Sequence, residues 1–263
     1  GYGFRCGFLG PLHLDIVQER LEREYNLSLI VTAPSVSYIV VDQKDIEITI
    51  SNPADLPVMS SVKAIKEPWV KVEILTPKDY VGSIMQMSLE KRGVNKSMQY
   101  IDQNRVILMF EMPLASIVLD YYDLLKSLSS GYASMNYEYL EYRPGSLVKL
   151  DVLVAGESID ALSTIIHKDE AFGVGSKLVK KLKELIPKAQ FEIALQVAIG
   201  SKVIARETIS ALRKDVTAKL YGGDRTRKDK LLKKQKAGKK RMKKVGKIDL
   251  PQEAFLAILK KGK

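Results

Sequence analysis

The chain has 263 residues, 46% of them hydrophobic, which is enough for two or three folded domains. It carries 42 Lys and Arg against 31 Asp and Glu, a formal net charge of +11. Its single cysteine, Cys6, excludes an internal disulfide and fits a reducing compartment, and no apolar run reaches the ~18 residues of a membrane-spanning helix.

Residues 1–41 are predicted to form an incomplete βαβ unit. A short strand and a turn near Phe4 precede a helix in which Leu14, Val17 and Leu21 recur at helical spacing. Residues 28–41 are rich in β-branched side chains and predict a strand. Such a unit cannot bury both of its faces alone, so we expect it to be half of a domain. Residues 42–67 are predicted to be a connector with one short strand.

Residues 68–144 are predicted to form an α+β domain of the ferredoxin-like type. The predicted elements are a strand at 70–74, a helix at 78–92 capped by Gly93, a hairpin of 94–101 and 105–112, a helix at 113–128 and a strand at 132–142. The order β-α-β-β-α-β is that of the ferredoxin-like sandwich.

Residues 145–263 predict a mixed α/β C-terminal domain. It should contain a strand near 147–154, a helix at 174–186, a hairpin turning at Gly200-Ser201 and a short helix at 209–216. After Pro251 the sequence QEAFLAILKK predicts a final helix with clustered apolar residues. A free disordered tail would not normally end in such a segment, so we expect this helix to dock on the body.

The basic excess of the chain lies in one segment, residues 222–247, which we call the basic arm. It contains thirteen Lys or Arg residues and two Asp residues, so its charge of +11 equals that of the whole chain. A basic cluster of this kind is typical of a protein that meets a polyanion at one place. Because like charges four residues apart repel and Gly238 disfavours helix, we expect the free arm to order on RNA.

The predicted partner of the arm is the phosphate backbone of a nucleic acid, contacted without base stacking because the arm has almost no aromatic residues. A solvated charge run without a partner, a nuclear-localisation signal and an anionic membrane surface remain alternatives. The predicted phosphate contacts are Arg225, Arg227, Lys228, Lys230, Lys233, Lys234, Lys236, Lys239, Lys240, Arg241, Lys243 and Lys244, with Arg206, Arg213 and Lys214 extending the patch.

No catalytic constellation is predicted. The two histidines, His13 and His167, lie far apart in sequence and from Cys6, which makes a dedicated metal site improbable. The phosphate-cradle motif GxxxxGK[ST] is absent, so we expect no nucleotide to bind at such a loop and no GTP hydrolysis by this chain alone.

Two stretches make the sequence similar to a known family. The opening GFRCGFLGPLHLDIVQERLEREYNLSLIVTAPSVSY resembles the end of domain III of elongation factor 4, the LepA family of translational GTPases. The segment LLKKQKAGKKRMKKVGKIDLPQEAFLAIL resembles that family's own C-terminal domain. The first of these stretches is also similar to elongation factor G. That family, however, has a long domain IV where this chain has only the short connector of residues 42–67.

This resemblance implies that residues 1–41 are the C-terminal half of domain III, 68–144 are domain V and 145–263 are the family-specific domain. It implies a longer parent whose GTPase domain binds GTP and Mg, with no cofactor in this chain. The implied partners are the ribosome, tRNA and rRNA, and the implied activity is back-translocation of tRNAs, which supports accurate synthesis under stress. The implied location is the bacterial cytoplasm, with peripheral contact to the cell membrane. A self-contained RNA-binding ribosome-assembly protein is the alternative.

Overall fold

The computed structural model describes residues 4, 6–9, 11–27, 29–32, 35–217, 225–245, 248 and 250–255. The predicted α+β class is confirmed, because antiparallel sheets carry helices that pack against them. The ferredoxin-like name for residues 68–144 and the predicted domain boundaries stay interpretations.

The N-terminal part contains one helix and a two-stranded hairpin. These are α1 (Pro11–Tyr25), β1 (Tyr38–Asp42) and β2 (Glu47–Ile50). The strand expected near Phe4 is not formed in residues 4 and 6–9, and the strand expected at 28–41 begins only at Tyr38. Among the described residues of this stretch, the β-ladder begins at Tyr38, which pairs with Ile50 at the end of β2. The propensity of the preceding residues is not enough to make a strand without a neighbouring strand.

A long central strand organises the first sheet. The elements that follow the hairpin are β3 (Val62–Pro77), α2 (Val81–Glu90), β4 (Val94–Tyr100), β5 (Arg105–Pro113), α3 (Leu114–Val118), α4 (Tyr121–Leu128) and β6 (Ser134–Gly145). The strand order is β2-β1-β3-β5-β4, β6 also pairs with β3, and all pairs are antiparallel. Because β3 pairs with β1, β5 and β6, the hairpin of the predicted connector belongs to the same sheet as the following unit.

Two details of the helices differ from the sequence expectation. The helix predicted at 113–128 is broken between α3 and α4, where Asp120 leaves the helical conformation and its carboxylate accepts a 2.6 Å hydrogen bond from Lys91. At the end of α2 the left-handed residue is Arg92, with φ of 67°, and not Gly93. Gly93 is required for another reason, since its N–H bonds Ser88 O and an added Cβ would lie 2.7 Å from that oxygen.

The second sheet belongs to the C-terminal part. Its elements are β7 (Leu147–Val154), β8 (Glu157–Ser158), β9 (Thr164–His167), α5 (Ala171–Leu185), β10 (Ile193–Ile199) and β11 (Lys202–Ile209), followed by α6 (Arg225–Val245) and α7 (Gln252–Phe255). The order is β11-β10-β7-β8, and β9 pairs with another part of β7. The turn at Gly200-Ser201 is confirmed, and Gly200 takes the positive φ of 57° that favours glycine.

The short helix predicted at 209–216 is wrong. β11 continues to Ile209, which pairs with Ile193 and is buried, and residues 210–217 are irregular. We call residues 210–217 the strap. It runs beside the residues after α5, because Leu212 N donates a 2.8 Å hydrogen bond to Ala189 O.

Three apolar cores hold the elements together. One lies between the first sheet and α2–α4, and a second lies between the second sheet and α5. Ala254 and Phe255 of α7 are buried in the second core, which confirms the predicted docking for this part of the last apolar segment. The rest of the predicted final helix lies outside the described residues. A third core joins the two sheets through Tyr38, Ile65 and Leu147. Tyr38 also donates a 3.2 Å hydrogen bond to the main-chain oxygen of Ile165.

Candidate nucleic-acid interface

Most of the basic arm is one continuous helix, α6. Its 21 residues correspond to a length of about 31 Å at the usual rise of 1.5 Å per residue. Lys, Arg, Leu, Gln, Met and Ala dominate the segment, and all of them are good helix formers. The expected disadvantages, like-charge repulsion and Gly238, are therefore outweighed by propensity together with the contacts that α6 makes with the body.

Those contacts are hydrogen bonds to the strap. Gln235 Nε2 donates to the main-chain oxygen of Lys214 at 2.8 Å, and Lys239 Nζ donates to the main-chain oxygen of Leu212 at 2.6 Å. Irregular segments leave carbonyl groups without strand partners, and here side chains of α6 satisfy two of them. The middle of α6 is thus fastened to the body by groups that do not require RNA.

One face of α6 is partly covered by the body. The half-buried positions recur at helical spacing and are Lys228, Leu231, Leu232, Gln235 and Lys239. Gly238 and Met242 follow Leu231 by seven and eleven residues and so lie on the same side of the helix, but both are exposed, with 53% of Met242 accessible. The covered face is therefore not an apolar stripe that continues from Leu231. The covered face is defined by hydrogen bonds and lysine stems as much as by apolar residues.

The rest of α6 presents cations to solvent. Six of the predicted contacts are exposed, and these are Arg225, Arg227, Lys230, Lys233, Lys234 and Lys236. Arg227, Lys230 and Lys234 follow one another at intervals of three and four residues, so they share one stripe of the helix. Among the residues that the structure describes, none of the six has an acidic partner. The stripe is a row of uncompensated positive charge.

The remaining predicted contacts fall into three groups. Lys228 and Lys239 are half-buried. Arg213 and Lys214 are exposed on the strap beside α6, and Arg206 is exposed on β11. The helix continues through Lys240, Arg241, Lys243 and Lys244, whose side chains lie outside the described part of the structure. The strap therefore brings Arg213 and Lys214 next to the arm, whereas Arg206 lies on a separate strand.

Sequence reasoning missed Gln235. Gln235 is a long, uncharged polar side chain that stands between Lys234 and Lys236, and it joins α6 to the strap. An isolated glutamine in a lysine run was the only available signal. It could be interpreted only once the strap was known to be irregular.

A second concentration of charge lies in the cleft between the two sheets. Arg92 donates two hydrogen bonds to the buried carboxylate of Glu67, and Lys91 pairs with Asp120. Burial raises the pKa of the Tyr38 phenol, and the negative charge of Glu67 adds to that effect. These four charges form two ion pairs, which join the two sides of the cleft as a structural junction.

Neither a metal cluster nor a membrane-spanning helix occurs in the described part of the chain. Within those residues no group of three or more His, Cys, Asp or Glu side chains is arranged to hold a metal ion. No helix in that same part of the chain is long and apolar enough to cross a membrane.

Comparison with protein families gives two matches that adjoin. Residues 154–260 match the family described as GTP-binding protein LepA C-terminus, and residues 64–153 match the family described as elongation factor G C-terminus. The first match contains the strap, α6 and α7, and the second contains most of the first sheet.

Curated relatives match almost the whole chain. An elongation factor 4 from Cyanothece sp. is 58% identical over 260 residues, which are 99% of this chain and 43% of that protein. A chloroplastic translation factor GUF1 homolog from Arabidopsis thaliana is 57% identical over 99% of this chain and 38% of its own length. An elongation factor 4 from Chlorobium phaeobacteroides is 56% identical over 98% of this chain and 43% of its own. The chain spans about two fifths of the length of these relatives.

Proposed function

The chain belongs to the elongation factor 4 (LepA) family and corresponds to the C-terminal part of its members, and from this premise we propose that it binds RNA on the ribosome. Its partners are the ribosome itself, with tRNA and rRNA as the molecules in contact. The chain acts without catalysis, by positioning a translation factor. It works in the bacterial cytoplasm, where the ribosome is found.

The observation that supports this proposal most strongly is the exposed charge of α6. Six cations are directed to solvent, two side chains fasten the helix to the strap, and α7 is docked beyond its end. The helix is fixed at its middle and followed by a docked segment. Its row of exposed Lys and Arg therefore fits the phosphate groups along an RNA backbone. The near absence of aromatic residues favours positioning over base reading.

The activity of the longer relatives is part of the same proposal. In the complete factor, the chain would hold RNA while a GTPase domain supplies GTP and Mg²⁺ chemistry, and the factor would move tRNAs backwards after defective translocation. This chain has no GxxxxGK[ST] sequence, so its own residues offer no phosphate-cradle loop for GTP.

The test is salt-dependent binding of the chain to unfractionated tRNA and to purified ribosomes. The variant Arg227→Gln/Lys230→Gln/Lys234→Gln removes three charges from the exposed stripe and keeps helix-forming side chains. The slope of log affinity against log salt should fall by about 3, close to one for each phosphate that is no longer neutralised. The matched control Lys44→Gln/Lys71→Gln/Lys78→Gln removes three exposed lysines elsewhere and should leave the slope unchanged.

Equal slopes for the stripe variant and the wild type would overturn the proposal.

An anionic membrane is the competing partner, because basic residues near such a surface gain about 1 kcal/mol each. Vesicles of anionic phospholipid at the same salt separate the two. Tighter binding to these vesicles than to tRNA would contradict a primary role in RNA binding.

A further inference from the structure

A second basic surface, which we call the α5 surface, lies on α5 and on the residues just after it, outside the arm. Its buried side carries Leu178, Val179 and Leu182, and its opposite side is rich in lysine. Residues 176–188 contain five Lys and one Glu. Because the chain outside residues 222–247 is neutral in total, this local excess is hidden in the overall composition.

The lysines of the α5 surface differ in how their charge is used. Lys183 pairs with Glu207 at 2.7 Å, and its hydrogen bond holds the pKa of that carboxyl below the ordinary value. Lys177, Lys180 and Lys188 are exposed and have no ion pair within the described residues. The charge of Lys180 also lowers the pKa of the Glu207 carboxyl, so it is compensated in part, and all three exposed side chains are open to a partner.

The surface is rigidly supported. At Gly175 an added Cβ would lie 3.2 Å from Val197 Cγ1 and 3.3 Å from Ile204 Cδ1, so α5 packs closely on β10 and β11. A helix seated this closely holds its exposed side chains on a fixed base, which reduces the ordering that binding must impose.

The strap connects this surface to α6. The bond from Leu212 N to Ala189 O places the strap next to Lys188, and Leu212 O accepts the hydrogen bond of Lys239 from α6. The strap itself contributes the exposed Arg213 and Lys214. Two acids lie along this path, Glu184 on α5 and Asp215, whose carboxylate accepts hydrogen bonds from Thr217. The cations outnumber them.

We propose that Lys177, Lys180 and Lys188, joined to α6 through Arg213 and Lys214, form a second phosphate-contacting surface for the backbone of a duplex RNA. This inference rests on the proposed RNA-binding function. A duplex fits because its recognition depends on shape and phosphate contacts, whereas a single strand is usually held by stacking on aromatic side chains. The charge balance of the sequence points to the arm alone, and only the fold separates the lysines of α5 from the acids that balance them.

The experiment measures the salt dependence of binding of the full chain to a duplex RNA of about 16 base pairs, the span of a typical duplex-binding module. The variants are Lys177→Gln/Lys180→Gln/Lys188→Gln on the α5 surface and Arg227→Gln/Lys230→Gln/Lys234→Gln on α6. Each should lower the salt slope by about 3, and the two sets combined should lower it by about 6. The control Lys44→Gln/Lys71→Gln/Lys78→Gln should leave the slope unchanged.

The possible outcomes separate this inference from the proposed function. If only the α6 variant lowers the slope, the α5 surface is refuted and RNA binding stands. If neither variant lowers it, both are refuted. A single-stranded oligouridine that binds more tightly than the duplex would overturn the choice of duplex RNA. Urea midpoints within the error of wild type show that each variant is folded, since exposed substitutions of this kind change stability little.

Discussion

Lys239 Nζ lies 2.6 Å from the main-chain oxygen of Leu212, so a lysine of the basic arm is bonded to the body of the protein. Gln235, one helical turn earlier, makes the equivalent contact with Lys214 O. These two bonds give α6 a fixed orientation, which a helix of mutually repelling charges would otherwise lack.

The first prediction follows from the Gln235 contact. Gln235→Ala removes no charge, so the salt slope of RNA binding should stay the same while α6 becomes less well held. The loss of one hydrogen bond is worth about 1 kcal/mol, which corresponds to about a fivefold increase in hydrogen exchange of the α6 amides. The control is Gln86→Ala on α2, because the Gln86 side-chain amide donates to Glu90 of its own helix and not, within the described residues, to another segment. Unchanged exchange in α6 would show that the contact does not hold the helix.

The second prediction concerns the docking of α7. Phe255 is 9% exposed and packs in the core of the C-terminal part. Phe255→Ala should lower the free energy of unfolding by about 3 kcal/mol, since it removes an aromatic side chain from a packed site. Phe172→Ala changes the same residue type where it is 67% exposed, and its effect should stay within about 0.5 kcal/mol. Urea unfolding measures both, and equal effects would contradict the docking.

The sequence predicts elements with a strong periodic pattern better than segments whose structure depends on pairing with a strand distant in sequence. The hairpins at Gly200-Ser201 and between β4 and β5 follow from local signals in the sequence, namely turn residues and alternating apolar positions. The strand predicted at 70–74 is longer, because β3 begins at Val62 inside the predicted connector. The strand predicted from residue 28 is shorter than expected, because among the described residues the pairing with β2 starts at Tyr38. The helix at 209–216 failed because the pairing of Ile209 with Ile193 competes with helical propensity.

The candidate site could likewise be predicted from the sequence only in part. The charge of the arm is a property of composition and could be identified directly. The covered face of α6 could not be predicted, because its two hydrogen bonds go to carbonyl groups of the strap, which are distant in sequence from Gln235 and Lys239. The α5 surface was hidden because a local excess of lysine is balanced elsewhere in the total charge.

The third prediction concerns the junction between the sheets. Glu67 is 1% exposed, and Arg92 is the only basic side chain bonded to it among the described residues. Arg92→Ala should lower the free energy of unfolding by about 3–5 kcal/mol, because it leaves a buried carboxylate without its partner. Arg20→Ala breaks an exposed pair with Glu24 and should have a much smaller effect.

The double variant Glu67→Gln/Arg92→Ala distinguishes the cost of the unpaired charge from lost packing. It should be more stable than Arg92→Ala alone, because no carboxylate remains buried. If the double variant is less stable than the single one, the Arg92 effect arises from packing instead. Urea unfolding at neutral pH is measured for the wild type, for Arg92→Ala and for the double variant.

The fourth prediction concerns the pH dependence of the hairpin between β4 and β5. The carboxylate of Asp102 accepts hydrogen bonds from Asn104 N at 2.9 Å and from Arg105 Nε at 2.7 Å. The Asn104 N–H is the main cause that holds the pKa of Asp102 below its ordinary value of 3.8, and the Arg105 side chain adds to it. The folded protein therefore binds this proton less readily than the unfolded chain does.

A group with a lowered folded pKa stabilises the protein above its unfolded pKa, and that contribution is lost as the pH falls through the folded value. Asp102→Ala should consequently lower the urea midpoint near pH 6. The difference from wild type should shrink once the pH falls below 3.8, the ordinary value of this carboxyl. Carboxyl NMR titration of Asp102 should give a pKa below that value. A gap between the two urea midpoints that stays constant from pH 6 to acid pH would show that the carboxylate charge does not stabilise the turn.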